Sequence, residues 1–187
     1  MRRVLAVGLI LLATGPAWAA SGDADGTYTV TVTKIEISQD NGSTYFTVFS
    51  GSQAINIAAA NAGAVAAGMV NASGVPPGTY NLIRTTLGDS LLIKGYVNNG
   101  ATTFYTNNDA DGFGLNAGAA NTPGGDYATS TITIPAANRV SSLATNFTCT
   151  GGGPAKSVKI AFDTGGVLTV AGGLPSLNAP SVTVTSS

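Results

Sequence analysis

The six residues Asn107-Asn-Asp-Ala-Asp-Gly112 come closest to a chemical motif in this chain. Oxygen-bearing side chains alternate at Asn107, Asp109 and Asp111, and a glycine follows. This is the first half of a calcium loop, in which alternate oxygens converge on the cation and the glycine permits a sharp turn. The second half is missing. The twelfth position counted from Asn107, where a bidentate acid should stand, is Gly118. Asp126 is a later carboxylate that can substitute for it in space. The segment reads either as a calcium site on Asn107, Asp109 and Asp111 or as a polar surface turn.

Little else offers chemistry. The chain has no histidine, which removes the commonest general base, the usual hydrolytic triads and most zinc and copper sites. The single cysteine, Cys149, cannot close an intramolecular disulfide. Its setting, Asn146-Phe-Thr-Cys-Thr150, is strand-like, and a small buried apolar role fits better than a nucleophile lacking a base. An intermolecular disulfide is the other reading. Two carboxylates suffice for glycoside hydrolysis, but Glu36 lies on a predicted strand and the aspartates fall mostly in turns. No catalytic residues are assigned, and the expectation is a protein that is not an enzyme. Tyr45, Phe46, Tyr96, Phe104, Tyr105, Phe113 and Tyr127 are the aromatics able to stack on a sugar. Phe104-Tyr105 and Phe113, beside the acidic loop, are where a ligand site is most easily built; core packing is the competing use. Sequons at Asn41, Asn71 and Asn146 matter only in a glycosylating host.

The address comes from the N-terminus. Arg2 and Arg3 precede a short apolar run, Val4 to Thr14, and Ala17-Trp18-Ala19 has small residues at the two positions a signal peptidase reads. Residues 1–19 are read as a secretory signal cut after Ala19. The run falls short of the roughly 20 residues of a spanning helix, so no membrane span is expected in the mature form. The expected address is secreted, extracellular or cell-surface, with the periplasm as the other compartment. Charged residues make up 9% of the chain, against about 25% in ordinary soluble proteins. Loss of Arg2 and Arg3 leaves six basic and nine acidic residues, a formal charge of −3. That balance excludes a basic footprint for nucleic acid and a polybasic patch for an anionic membrane. Weak charge repulsion also lets subunits pack closely.

The elements that must position these residues are strands. Tyr28 to Ser38 alternates apolar and polar residues, nearly all β-branched or aromatic. Its apolar parity flips near Thr33-Lys34: Tyr28, Val30 and Val32 share one face, Ile35 and Ile37 the other. The flip predicts a β-bulge or a strand passing between two sheets. Asp40-Asn-Gly-Ser43 predicts a turn, with Thr44 to Ser50 as the return strand. Ala58 to Val70 is the one helical stretch, kept short by Gly63 and Gly68. Thr79 to Leu87 is a strand, and Gly88-Asp89 is a turn into a further strand, Leu91 to Val97. Strands are also predicted over 101–106, 127–134, 144–150, 157–163, 167–171 and 181–187. A loop at 107–126 and a linker bracketed by Pro175 and Pro180 separate some of them. The expected class is all-β, an antiparallel β-sandwich of about ten strands with one short Ala-rich helix. The expected organisation is a signal (1–19), a mobile arm (20–26) and one sandwich domain (27–187), its C-terminal strand 181–186 a candidate for exchange.

A strand of the type Val32-Thr-Lys-Ile-Glu-Ile37, a glycine turn, an aromatic strand, a small-residue linker and the turn Val75-Pro-Pro-Gly-Thr-Tyr80 occur in that order. Over about residues 27–97 this resembles a family of secreted prokaryotic domains of unknown function, thought to be prealbumin-like or carboxypeptidase-regulatory-like sandwiches. Family members often carry a tryptophan in the second strand, where this chain has Tyr45-Phe46. The resemblance implies a β-sandwich fold and an extracellular address, and it brings no catalytic residues.

Two functions follow as expectations. One is a structural or adhesive subunit of an extracellular filament, matrix or layer, a homopolymer or a partner of other surface components, assembled by strand addition. Tyr28 to Ser38 and its stylistic twin Ser181 to Ser187 are the expected exchanging strands. The other is a monomeric module binding carbohydrate or protein, stabilised by calcium.

Overall fold

A computed structural model describes residues 9–13, 22, 24–58, 75–98, 103–107, 115–118, 127–150, 158–171 and 174–186. The strands are β1 Leu9–Ala13, β2 Ala24–Ser38, β3 Phe46–Asn56, β4 Gly78–Asn98, β5 Thr103–Thr106, β6 Leu115–Gly118, β7 Ser130–Thr133, β8 Val140–Cys149, β9 Val158–Asp163, β10 Leu168–Ala171, β11 Leu174–Leu177 and β12 Ser181–Ser186. Among the described residues a single 3-10 turn spans Ala136–Asn138. The all-β class read from the sequence holds, and every pairing among the described residues is antiparallel except β1 with β9. Of the helix expected over Ala58 to Val70, residues 59–70 lie outside the described residues. Among the described residues no helix is long and apolar enough to cross a membrane.

The predicted hairpin is β2–β3. Its turn is fixed by Ser38, whose buried hydroxyl donates to Asp40 Oδ1 (2.7 Å) and accepts from the Gly42 amide (2.8 Å). Asp40 Oδ1 also accepts from the Thr44 amide at 2.8 Å. These hydrogen bonds, the amide of Thr44 first and the hydroxyl of Ser38 second, hold the Asp40 carboxyl below its usual range. Asn41 and Gly42 take positive φ, 56° and 92°, which is why an Asn-Gly pair stands there. The parity flip resolves as a bulge. The register of β2 slips between Val32 and Lys34 against both β3 and β4, and Thr33 Oγ1 donates to Thr86 O at 3.1 Å. Val30, Val32, Ile35 and Ile37 are all buried as a result.

Two expectations about this region are corrected. Tyr28 to Ser38 is not an edge or intersubunit strand: β2 lies between β3 and β4, with both its edges paired. Nor is Gly88-Asp89 a hairpin turn, because β4 runs unbroken for 21 residues. Val30 pairs with Leu91 and Val32 with Leu87, so residues 88–90 bulge out opposite Thr31. A Cβ on Gly88 would lie 3.3 Å from Thr31 Cβ, a close approach that favours glycine at the bulge. The same point marks a change of partner on the far edge of β4, where β8 covers 78–86 and β7 covers 90–93. The amide of Leu87 donates to Arg139 O (2.8 Å), and the amide of Ile134 to Asp89 O (2.7 Å), across the seam. Beyond it β5 takes over at Tyr96 to Asn98.

The remaining strands fill in around this sheet. Ser130, Ile132 and Ile134 are buried on one face, as their alternation predicts. The loop expected over 107–126 contains β6, which pairs with β5. The Pro-bracketed linker contains β11, paired with β10 so that Pro175 stands opposite Val170. Proline is compatible with a two-stranded ribbon, where one edge needs no amide donor. Of the segment expected as an arm, Ala24 to Gly26 open β2. Gly22 donates its amide to Tyr96 O (2.7 Å) and accepts from the Leu168 amide (2.8 Å).

The turn quoted for the family resemblance organises one end of the core. Tyr80 is fully buried. Its ring stacks on Phe147 at 5.5 Å and meets Phe46 edge-on at 6.1 Å. Its hydroxyl donates to Pro76 O at 2.8 Å, closing the Pro-Pro-Gly turn onto the strand that follows. Gly78 has φ 147°, with the Gln39 side chain filling the space where a Cβ would project.

Candidate functional site: sheet edges, an ion triad and a tyrosine cluster

β3 is the edge strand of the seven-stranded sheet, paired among the described residues with β2 alone. Its sequence, Phe46-Thr-Val-Phe-Ser-Gly-Ser-Gln-Ala-Ile-Asn56, contains neither charge nor proline. Residues 50–54 are exposed on both faces. Edge strands are ordinarily blunted by lysine, proline or shortness. At 11 residues, β3 has, among the described residues, only its bulges against β2 to blunt it, and its main-chain groups on that edge can template another strand.

β9 is the second candidate. It forms the middle of a three-stranded sheet, with β12 antiparallel on one side and β1 parallel on the other. The expected exchange strand 181–186 is therefore paired within its own chain, Ser181 opposite Asp163 through Ser186 opposite Val158. Leu9–Ala13, from the apolar run of the predicted signal, lies along β9 with Leu9 opposite Val158 and Ala13 opposite Phe162.

The strongest electrostatic feature is Glu36, whose side chain is 6% exposed. Pairing register sets Arg84 directly across from it. Arg84 Nε lies 2.8 Å from Glu36 Oε2, and Lys34 Nζ lies 2.6 Å from Oε1. Burial raises the Glu36 carboxyl, but the hydrogen bonds from Arg84 and Lys34 outweigh it and hold it below its usual range. The Arg84 guanidinium also covers the Tyr45 ring, 3.5 Å from its centroid. The triad clamps β2 to β4 and holds the carboxylate charged between two cations.

Three tyrosines gather at Tyr105, two residues before Asn107. Tyr96, Tyr105 and Tyr127 have ring centroids 5.5–6.3 Å apart. Lys94 Nζ lies 4.6 Å from the Tyr127 ring centroid, and Tyr127 Oη donates to Asp25 Oδ2 at 2.6 Å. Burial, then the carboxylate of Asp25, push the Tyr127 phenol upward. Tyr28 is pushed to about 12 by burial. Burial thus keeps the phenols of Tyr28 and Tyr127 protonated near neutral pH. Of the seven aromatics read as sugar platforms, Phe104 and Tyr105 are buried in the fold, and Phe113 lies outside the described residues.

Of the predicted calcium ligands, Asn107 is buried just beyond β5. Asp109, Asp111 and Asp126 lie outside the described residues, and Gly118 closes β6 opposite Thr103. Among the described residues no group of three acids, histidines or cysteines converges on a common point. Thr106, which precedes Asn107, has no exposed surface. Its hydroxyl accepts from the Gly95 amide (3.0 Å) and donates to Ala128 O (2.7 Å). Thr106→Val strands both backbone groups, and we expect a loss of about 2 kcal/mol, read as a lower urea midpoint at constant slope.

Cys149 ends β8 opposite Gly78 and is buried. Burial raises its thiol, so it stays protonated and packs as a small apolar side chain. Sequence reasoning missed both edges, for different reasons. The bare edge of β3 is visible as an uncharged run only once β3 is known to be outermost. The pairing of residues 9–13 has no sequence signal at all. In comparisons with family models, curated proteins and solved structures, no match to this chain was found.

Proposed function

We propose that this chain is a secreted structural or adhesive protein, the subunit of an extracellular filament, matrix or layer built by β-strand addition. The long, uncharged, proline-free edge of β3 carries this reading. Strand addition draws its affinity from main-chain hydrogen bonds along such an edge. Scarcity of charge supports it, because like-charge repulsion between subunits is weak. A single β-sandwich domain of the secreted prokaryotic kind is part of the reading, supported by the way Tyr80 closes the Val75–Tyr80 turn. The exported chain has the composition of a surface protein, and its chemistry is that of a scaffold, not of a catalyst.

The test is negative-stain microscopy of the exported protein beside a variant with Ser50→Lys and Ser52→Lys on β3. Lysines on an edge oppose pairing without removing core side chains. Fibres or sheets in the parent and dispersed particles in the variant are expected. Identical assemblies in both overturn the β3 edge as the contact. A monodisperse monomer in both instead favours the ligand-binding module.

A further inference from the structure

We propose that the outer edge of β9 is an assembly surface for a second copy of this chain, closed in the precursor by residues 9–13 and opened when the signal segment is cut away. The inference rests on the secretory reading of residues 1–19. In the full chain, Leu9–Ala13 lies parallel along β9, residue for residue from Val158 to Phe162. A cut after Ala19 removes that strand and leaves β12 as the one partner of β9 among the described residues. A row of backbone donors and acceptors is then unpaired beside a face whose Ile160 is 3% exposed while β1 is in place. Phe162 packs against the same core.

The sequence of β9 identifies the new occupant. In Val158-Lys-Ile-Ala-Phe-Asp163, antiparallel self-pairing centred on Ala161 sets Lys159 opposite Asp163 of the second copy. It also sets Ile160 opposite Phe162, and Ala161 opposite itself. The Lys159–Asp163 and Ile160–Phe162 pairs each occur twice across the two-fold axis and the Ala161 pair lies on it, as a closed isologous contact requires. Opposite charges and apolar pairs directly across antiparallel strands are favourable, and the register shifted by one residue instead sets Lys159 against Phe162. The exchange also replaces a parallel pairing with an antiparallel one, which is slightly the more stable per residue. Because β3 presents a separate edge, two-fold contacts at β9 and at β3 alternate along an open filament, which supplies the polymer that a single closed contact cannot.

Sedimentation velocity on the full chain and on the exported, cleaved chain tests this. The full chain should be monomeric through this edge and the cleaved chain associated. Lys159→Asp and Asp163→Lys should each weaken association by about tenfold or more, and the double exchange should restore it. In the uncleaved chain, Leu11→Pro breaks the β1 pairing and should induce association with the same charge dependence, whether or not the cleaved chain folds well. The proposal is overturned by full and cleaved chains that associate alike. It is equally overturned by a monomeric Leu11→Pro chain, or by single and double charge variants that behave identically. Mass spectrometry of the exported protein separates the two layers. Retention of residues 1–19 overturns the secretory reading, while the charge-exchange pattern in the Leu11→Pro chain decides the β9 contact independently.

Discussion

Tyr80→Ala should lower stability by about 4 kcal/mol, the largest loss expected from a single truncation in this chain. Tyr80 is fully buried and its ring sits between Phe46 and Phe147. Truncation removes a large apolar surface, leaves a cavity lined by two other aromatics, and deprives Pro76 O of its donor. Three elements lose a common contact at once: β3 through Phe46, β8 through Phe147, and the turn before β4. Tyr80→Phe isolates the hydroxyl and should cost about 1 kcal/mol. Guanidinium unfolding measures both, and a chain of this size should lose about 10 °C in Tm for the alanine variant. A loss below 1 kcal/mol for Tyr80→Ala would show that the turn and the two strands are held together by something else.

Glu36→Lys should be nearly as damaging, at about 4 kcal/mol. It places a third cation between Lys34 and Arg84 at a position only 6% exposed. Glu36→Gln is milder, about 1–2 kcal/mol, because Arg84 and Lys34 are 30% and 41% exposed and turn to water when the charge is lost. The carboxyl has a folded value below its unfolded value. Its contribution is therefore fully present above the unfolded value of about 4.3, and it is lost as pH falls through the lower folded value. The stability gap between the parent and Glu36→Gln should be constant near neutrality and close in acid. Chemical denaturation from pH 7 to pH 2 checks this; a gap that widens in acid contradicts the sign.

The sequence disclosed local structure well and partnership poorly. The bulge at Thr33 was readable because a period-two pattern that changes phase has few physical causes. The Asn41-Gly42 turn was readable because positive φ selects those residues. Gly88-Asp89 carried an equally strong turn signal, but a glycine in a strand run denotes a bulge as readily as a reversal. What decides between them is the uninterrupted partner β2, about 60 residues earlier in the chain. The stretch bracketed by Pro175 and Pro180 reads as a linker because proline discounts a strand, a penalty that vanishes at the ribbon edge of β11, Leu174–Leu177. The apolar run at residues 9–13 has no period, so nothing in it announces β1. For the candidate site, the composition suggested assembly, but which edges stand open depends on strand order, and strand order is set by pairings far apart in sequence. Of the predicted calcium ligands, the structure places Asn107 alone.

The length of β4 has a kinetic consequence. One strand receives β2 from its N-terminal side and β5, β7 and β8 from its C-terminal side. Gly78 meets Cys149, and Ser38 meets Leu82. The β2–β3, β4–β5 and β5–β6 pairings close from nearby residues. The β2–β4, β4–β7 and β4–β8 pairings join distant ones, so loop-closure entropy must be overcome before β4 gains most of its partners. Chains of such high contact order fold in milliseconds to seconds. For a protein that crosses a membrane unfolded, as the proposed secretion requires, that delay is an advantage: β4 cannot complete its pairings until the last third of the chain has arrived beside it.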